Sequence, residues 1–400
     1  MKRAATAVGW GAVSQFGGMV GGALLALSVS LRLDQAEAGR LLLALNLGAF
    51  LAPIAGVGLV RMSMRFAVGG SRFVPSGLVA RAAGSYVSVM VVAVPLLLLV
   101  FSSIRTTSLA VLLLTTVGSS LLALVASYYL IGVEEYRHSA LAGIGAQRLI
   151  RGVAIGLVLW LDESSSIVAV AQVLVAVQLV HVVAVMALFV KRKSLDVDSE
   201  LQKSHALVDS AIALSSGSIT VLPRLAMSDS QYGLYALLLR FVAPVGAARQ
   251  VLEPLLTARW LGGSRRPVLP SFGVLVTGCV VFAIVFALPL RVVATSLGLE
   301  GTGASVVFIA FCVLALACME ATASVWRGPI LAVRDLLDGL ALREVGLAAA
   351  VVVSALAFRE FGNEGVGFVG ALVVLEMGWL FSLSRLASAK EVLTPRQVAV

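Results

Sequence analysis

Twelve runs of mostly apolar residues divide this chain of 400 residues. A helix needs about 20 such residues to cross the hydrocarbon core of a bilayer. Hydrophobic residues make up 60% of the chain and charged residues 13%, too few polar groups to cover a soluble protein of this size. The sequence therefore predicts an all-α polytopic membrane protein with about 12 transmembrane helices. The runs are 8–31, 41–60, 79–101, 109–132, 139–161, 166–190, 206–223, 232–257, 268–290, 304–326, 340–358 and 364–386.

The basic residues predict the orientation of these helices. Of the 30 lysines and arginines, 21 fall on the same side as the N-terminus, six fall on the opposite side, and three lie within runs. Cytoplasmic connections carry the excess of basic residues in membrane proteins. We therefore predict a multi-pass protein of the cytoplasmic (inner) membrane with both termini in the cytoplasm. Arg327 is among the 21 residues assigned to the cytoplasmic side. The basic residues are scattered, which argues against a nucleic-acid partner.

Short connections limit what the chain can do. They leave no room for a soluble catalytic domain, and no nucleophile–base set or metal-ligand spacing is present, so neither enzymatic activity nor a cofactor or metal is expected. A highly charged connection follows the sixth run. It predicts an N-terminal six-helix lobe over 1–190, a cytoplasmic linker over 191–205 and a C-terminal six-helix lobe over 206–400.

A short motif recurs about half a chain apart. An arginine (Arg32, Arg224) is followed by a polar turn, a glycine (Gly39, Gly233) and a run of small residues and leucines. Internal duplication is common in transporters, and six helices in each copy would make the two repeats parallel. We predict such a duplication; the alternative is that two short loops have converged by chance.

The motif resembles that of the polysaccharide-flippase branch of the multidrug/oligosaccharidyl-lipid/polysaccharide exporter superfamily, over essentially the whole chain. Residues 231–236 (QYGLYA) match well, whereas Ala38 replaces the aromatic residue before the first-half glycine. The resemblance implies two six-helix lobes around a central cavity. It implies movement of undecaprenyl-diphosphate-linked oligosaccharide or polysaccharide repeat units across the membrane by alternating access. The lipid-linked glycan, the lipid bilayer and the glycan polymerase machinery are the expected partners.

Three arginines, Arg148, Arg151 and Arg240, lie within apolar runs. A charge at the bilayer centre costs about 2.5–3.5 kcal/mol on insertion scales, so such residues are candidates for function. A guanidinium group offers forked donors that match phosphate oxygens. We predict that these arginines line the cavity and neutralise the diphosphate. The alternative is that their long side chains reach the headgroups at either surface.

Two isolated amides, Gln15 in the first run and Asn46 in the second, are further substrate-binding candidates. The resemblance puts helices 1, 2, 7 and 8 beside the cavity, although hydrogen bonding between helices explains buried amides equally well. The first run also carries glycine pairs four residues apart, which predict close approach of another helix. They are Gly17 with Gly21 and Gly18 with Gly22.

Acidic residues suggest coupling or gating. Glu376, in the twelfth run, is the best candidate for a carboxylate that binds a proton or sodium ion, and its alternatives are helix packing or pairing with Arg385. Arg249 and Glu253, four residues apart in the eighth run, can pair on one helix face near a cytoplasmic gate.

Two other functions compete with the flippase. A cation-coupled small-molecule exporter of the multidrug type would share the architecture, but its cavity carboxylates should outnumber arginines. Three mid-span arginines against one credible glutamate favour the flippase. A membrane-embedded glycosyltransferase or polymerase would need a sizeable loop, and the short connections argue against it.

Overall fold

A computed structural model describes residues 2–67, 70–161, 166–194, 199–240, 242, 272–296, 303–332, 336–360 and 365–388. Within these ranges the chain is almost entirely helical, and two strands of two residues each form the β-structure. The predicted all-α class is confirmed. A helix coincides, wholly or in part, with each of the twelve predicted runs.

The helices of the first half follow the apolar runs closely. They are α1 (Lys2–Arg32), α2 (Gln35–Ala55), α3 (Leu59–Phe66), α4 (Ser76–Val100), α5 (Thr107–Gly132), α6 (Tyr136–Ala142), α7 (Ile144–Leu161), α8 (Ile167–Phe189) and α9 (Ser199–Thr220). Two strands, β1 (Val74–Pro75) and β2 (Val190–Lys191), pair in parallel.

The second half continues with α10 over residues 229–240. It is followed by α11 (Phe272–Ser296), α12 (Gly303–Ala332), α13 (Leu337–Glu360) and α14 (Gly365–Ala387). Among the described residues, eight helices are long and apolar enough to span a membrane. The number is nine if α6 and α7, which are bent by 41° at the break between them, form one broken span.

Local chemistry explains where α2 begins and ends. The Asp34 carboxylate caps its first turn by accepting a hydrogen bond from the backbone N–H of Glu37 at 2.6 Å. The helix ends at a turn in which Val57 and Gly58 have φ of 45° and 78°, in the left-handed region. The second predicted run, 41–60, is therefore divided between α2 and α3. A Cβ on Gly58 would lie 2.6 Å from the backbone of α9, so this close approach requires glycine.

The chain divides into two compact units. Unit 1 comprises Met1–Ala213 with Asp229–Leu237, and unit 2 comprises Leu214–Ser228 with Leu238–Val400. Residues 229–237 of α10 therefore belong to unit 1, and its remaining residues belong to unit 2. The proposal that a linker over 191–205 separates two six-helix lobes stays a prediction.

Within unit 1, α1 packs closely on α7, as the glycine pairs of the first run predict. A Cβ on Gly18 would lie 3.1 Å from the Cα of Gly145, and one on Gly21 would overlap the backbone of Arg148. Gly152 of α7 in turn faces the backbone of Gly21. A Cβ on Gly22 would have no atom within 4 Å, so Gly22 does not take part in the close contact with α7.

The two glycines of the repeated motif pack against each other in unit 1. A Cβ on Gly39 would overlap the carbonyl oxygen of Asp229, and one on Gly233 would overlap the carbonyl oxygen of Gln35. Gln35 lies four residues before Gly39, and Asp229 lies four residues before Gly233, so the contact is reciprocal. Two equivalent segments related by a local two-fold axis make such contacts. The reciprocity supports duplication over chance convergence.

Candidate functional site

A buried network of polar side chains joins α5, α7 and α8 in the interior of unit 1. We call it the unit 1 cluster; its members are Thr116, Ser119, Ser120, Gln147, Arg151 and Gln178. The Gln178 amide donates to Thr116 Oγ1 at 3.0 Å and accepts from Ser119 Oγ at 3.4 Å. The Gln147 amide donates to the same Ser119 hydroxyl at 2.7 Å. Each helix therefore contributes hydrogen-bonding groups to one network.

Helical spacing aligns the members of this cluster. Gln147 and Arg151 are four residues apart on α7, and Thr116, Ser119 and Ser120 occupy positions i, i+3 and i+4 on α5. The Arg151 guanidinium donates from Nη2 to Ser119 Oγ at 3.4 Å, and its side chain is only 8% exposed. His181, one turn after Gln178 on α8, is also buried and lies within electrostatic range of Arg151.

Charge in this part of the molecule has one sign. Residues 4–31 of α1 and all of α5, α7 and α8 contain two residues of the types Lys, Arg, Asp and Glu, namely Arg148 and Arg151. Within the cluster Arg151 donates to the Ser119 hydroxyl, which is neutral. The region therefore carries a net positive charge among apolar helices.

The structure places Arg148 and Gln15 beside the α1–α7 contact. Arg148 is half-buried, and a Cβ on Gly18 would lie 3.7 Å from its Cδ. Gln15 is half-buried on α1, three residues before Gly18. Arg148 and Arg151 are thus one helical turn apart, the first partly accessible and the second enclosed against α5.

Asn46 and Arg240 have different surroundings. The Asn46 amide donates to the Tyr232 hydroxyl at 3.1 Å and thereby links α2 to α10 within unit 1. Hydrogen bonding between helices was the alternative to a substrate-binding role for Asn46, and this bond is of that kind. A binding role for Asn46 stays a prediction. Arg240 is half-buried at the end of the described part of α10 and belongs to unit 2.

Unit 2 contains a second buried arginine, in a cluster rich in carboxylates. We call it the unit 2 cluster; its members are Ser215, Glu320, Arg327, Glu344 and Trp379. Arg327 donates from Nε and Nη2 to the two carboxylate oxygens of Glu344 at 2.7 and 2.9 Å. It also donates to Glu320 at 3.3 Å and to Ser215 Oγ at 3.2 Å, and its guanidinium lies 4.6 Å from the centre of the Trp379 ring.

The assignment of Arg327 to a connection between helices was wrong, and its assignment to the cytoplasmic side stays a prediction. Its side chain is 0% exposed, and α12 continues past it to Ala332. A charged residue directly after an apolar run predicts the end of a span, but here Glu344 of the next helix neutralises the charge inside the protein. Residues 17 positions apart leave no local pattern that would reveal such a pair.

Glu376, the coupling candidate, is fully buried on α14. It lies three residues before Trp379, so both project from neighbouring positions of one helix face. Arg385 is exposed and packs on the Phe381 ring at 5.1 Å, about 13 Å further along the helix axis. The other coupling candidates, Arg249 and Glu253, lie outside the described residues.

Sequence reasoning missed several members of both clusters. Gln147 has a recognisable signal, because it precedes Arg151 by four residues in an otherwise apolar helix. Gln178 is one of two glutamines in the otherwise apolar α8, with the exposed Gln172, so the sequence alone could not tell which of the two is buried. Among the described residues, no group of three or more His, Cys, Asp or Glu side chains could hold a metal ion.

No family model and no curated protein matches this sequence. Two solved structures match it over nearly their whole length. One is the inward-facing conformation of a multidrug resistance MATE family transporter of the MOP superfamily, with 15% identity, coverage of 94% of this chain and 95% of that chain, and a TM-score of 0.38. The other is a MOP superfamily transporter from Pyrococcus furiosus Vc1 (DSM3638), with 13% identity, coverage of 96% of both chains and a TM-score of 0.46. Reverse polarity of the binding pocket suggests a different function for that second protein.

Proposed function

We propose that the protein is a flippase that moves undecaprenyl-diphosphate-linked oligosaccharide or polysaccharide repeat units across the cytoplasmic membrane by alternating access. The observation that carries the proposal is that the charge on residues 4–31 of α1 and on α5, α7 and α8 has one sign, which is positive. Arg148 and Arg151 stand one turn apart on α7, and residues 4–31, α5, α7 and α8 contain no aspartate or glutamate. A diphosphate is the ligand chemistry that this charge complements.

The energetics favour a ligand of this kind. Each charge in an apolar helix costs about 2.5–3.5 kcal/mol on insertion scales, and hydroxyl or amide partners leave that charge in place. A phosphate group would neutralise it and accept forked hydrogen bonds from the guanidinium groups. The cost of burying two arginines is therefore offset when the substrate is bound.

The two arginines would have different tasks. Arg148 keeps part of its surface accessible, so it is the one to contact the diphosphate directly. Arg151 is enclosed and oriented by Ser119, whose hydroxyl is itself held by Gln147. It would act over a short distance, as a fixed positive charge behind Arg148.

A cation-coupled exporter of small molecules is the second candidate, and unit 2 supplies the observation that favours it. Among the described residues of unit 2, three glutamates, Glu320, Glu344 and Glu376, are buried with one buried arginine, Arg327. A carboxylate in such an environment can take up a proton or a cation, because desolvation disfavours its charged form. This excess of buried carboxylates in the described part of unit 2 is what favours a cation-coupled exporter.

Translocation of labelled undecaprenyl-diphosphate oligosaccharide by reconstituted protein tests the flippase. We expect Arg148→Gln and Arg151→Gln each to slow translocation roughly tenfold to a hundredfold, because a hydrogen bond to a charged group contributes about 1.5–3 kcal/mol. Arg359→Gln is the matched control, since Arg359 is an exposed arginine at the end of α13. Unchanged translocation in both unit 1 variants would refute the arginine site.

Efflux of a cationic dye against an imposed proton gradient tests the second candidate in the same vesicles. The exporter predicts gradient-dependent dye efflux that Glu376→Gln abolishes, without movement of the lipid-linked glycan. Glycan movement without dye efflux would instead exclude the exporter.

A further inference from the structure

A short parallel β-bridge brings two distant segments of unit 1 together next to the membrane. Val74 pairs with Val190 and Pro75 with Lys191, although about 116 residues separate them along the chain. Two more hydrogen bonds extend the contact, from Gly77 N–H to the Lys193 carbonyl oxygen at 3.3 Å and from Lys193 N–H to Ser76 Oγ at 3.4 Å. Arg72, Lys191, Arg192 and Lys193 contribute no side-chain atom to these hydrogen bonds, so their charged groups stay available.

The bridge brings exposed Arg72 next to the segment of three exposed cations, Lys191, Arg192 and Lys193, and two of the four cations lie over one aromatic ring. We call this the basic patch; it consists of Arg72, Phe73, Lys191, Arg192 and Lys193. The Arg72 guanidinium lies 5.1 Å and the Lys191 ammonium 5.6 Å from the centre of the half-buried Phe73 ring. None of the four cations forms an ion pair with a residue that the structure describes. Like charges held this close favour an anion between them.

The patch lies at the level where two lipid-facing helices leave the bilayer. β1 directly precedes α4 and β2 directly follows α8, and both helices qualify as membrane spans. Both also expose large apolar side chains, including Val91 and Leu99 on α4 and Val180 on α8. Such surfaces face acyl chains, so the cations at the ends of these helices stand at the height of the lipid headgroups.

We propose that the basic patch binds the phosphate headgroups of anionic phospholipids in the adjoining leaflet, which is the cytoplasmic leaflet in the predicted orientation. Clusters of lysine and arginine next to a membrane span attract anionic lipids, and the Arg72 fork suits a phosphate. The lipid-exposed faces of α4 and α8 favour a bulk phospholipid over the diphosphate of a translocated substrate. The inference is independent of the proposed function.

Binding of phosphatidylglycerol to the full-length protein in detergent, measured by native mass spectrometry with titrated lipid, tests the proposal. The triple variant Arg72→Gln/Lys191→Gln/Lys193→Gln should bind phosphatidylglycerol at least about tenfold more weakly, and phosphatidylcholine as before. The matched control, Arg32→Gln/Arg105→Gln/Arg359→Gln, removes the same charge from exposed positions on the predicted opposite side and should change binding less than about twofold.

Each other outcome overturns the proposal. Equal loss in both triple variants would mean that net charge alone attracts the lipid, and no loss in the patch variant would mean that the lipid binds elsewhere. Undecaprenyl diphosphate is added as a competitor: displacement of phosphatidylglycerol at far lower concentration, lost in the patch variant, would assign the patch to the substrate instead. If the triple variant misfolds, Arg72→Gln/Lys193→Gln makes the same test, since Lys193 joins the bridge through backbone atoms only.

Discussion

Arg151 in unit 1 and Arg327 in unit 2 are both buried in apolar helices, but their surroundings differ. Arg327 forms a bidentate pair with Glu344, contacts Glu320 and lies over the Trp379 ring. Arg151 contacts a serine within a network of hydroxyl and amide groups. The difference teaches that a buried arginine is not in itself a functional signal. Arg327 is neutralised within its own unit, whereas Arg151 lies on a helix without aspartate or glutamate and contacts the neutral Ser119 hydroxyl.

On the proposed function, Arg151 belongs to a binding site and Arg327 to the fold. A buried ion pair tolerates replacement by apolar residues of similar volume better than the loss of one partner, because a lone buried charge is costly. An arginine that donates one long hydrogen bond to a serine hydroxyl should be lost at smaller expense in stability. The two residues should therefore respond in opposite ways to mutation, one in stability and the other in transport.

The largest effect is expected at the unit 2 pair. Glu344→Ala should lower the free energy of unfolding by about 3–5 kcal/mol, because it leaves Arg327 with its principal counter-charge removed. Thermal and denaturant unfolding in detergent micelles would measure the loss. The double variant Arg327→Met/Glu344→Met should recover most of it. If the double variant is as unstable as the single one, charge burial is not what links these residues.

A smaller loss is expected when an amide is removed from the unit 1 cluster. Gln178→Leu should cost about 1–3 kcal/mol in the free energy of unfolding, since it removes the amide that donates to the buried Thr116 hydroxyl and accepts from the Ser119 hydroxyl. The same unfolding measurement applies. Exposed Gln231 offers a control, and Gln231→Leu should have little effect. A negligible effect of Gln178→Leu would show that the cluster does not hold α5 and α8 together.

The smallest effect on stability is expected for Arg151→Met. Its described hydrogen bond to Ser119 is long, at 3.4 Å, and Ser119 keeps the shorter bond from Gln147, so we expect a loss of about 1 kcal/mol or less. Unfolding in micelles compared with glycan translocation in vesicles would separate the two roles. Destabilisation as large as that of Glu344→Ala would remove the distinction between the two arginines.

The apolar runs and the glycines could be interpreted without a structure. Runs of about 20 residues predicted helices that the described residues confirm, and the glycine pairs of the first run predicted a close helix contact. The equivalence of Gly39 and Gly233 was likewise visible as a repeated motif. These features are local, since hydrophobic periodicity and glycine spacing act within a single helix or loop.

Other features depend on residues that are distant in the chain. The Arg327–Glu344 pair was misassigned because the charge of Arg327, considered alone, marks the end of a span. The role of Gln178 depends on Thr116, which is 62 residues away. The basic patch exists only because Val74 pairs with Val190. A sequence pattern cannot report contacts of this kind.

The sequence by itself determined that this chain is an all-α membrane protein and predicted where most of its described helices run. Burial of backbone polar groups in lipid allows little else, so composition and run length suffice for that conclusion. Only the tertiary structure decided which charges within the helices are balanced. Balance depends on distances of a few ångströms between different helices, and these arise when the helices pack.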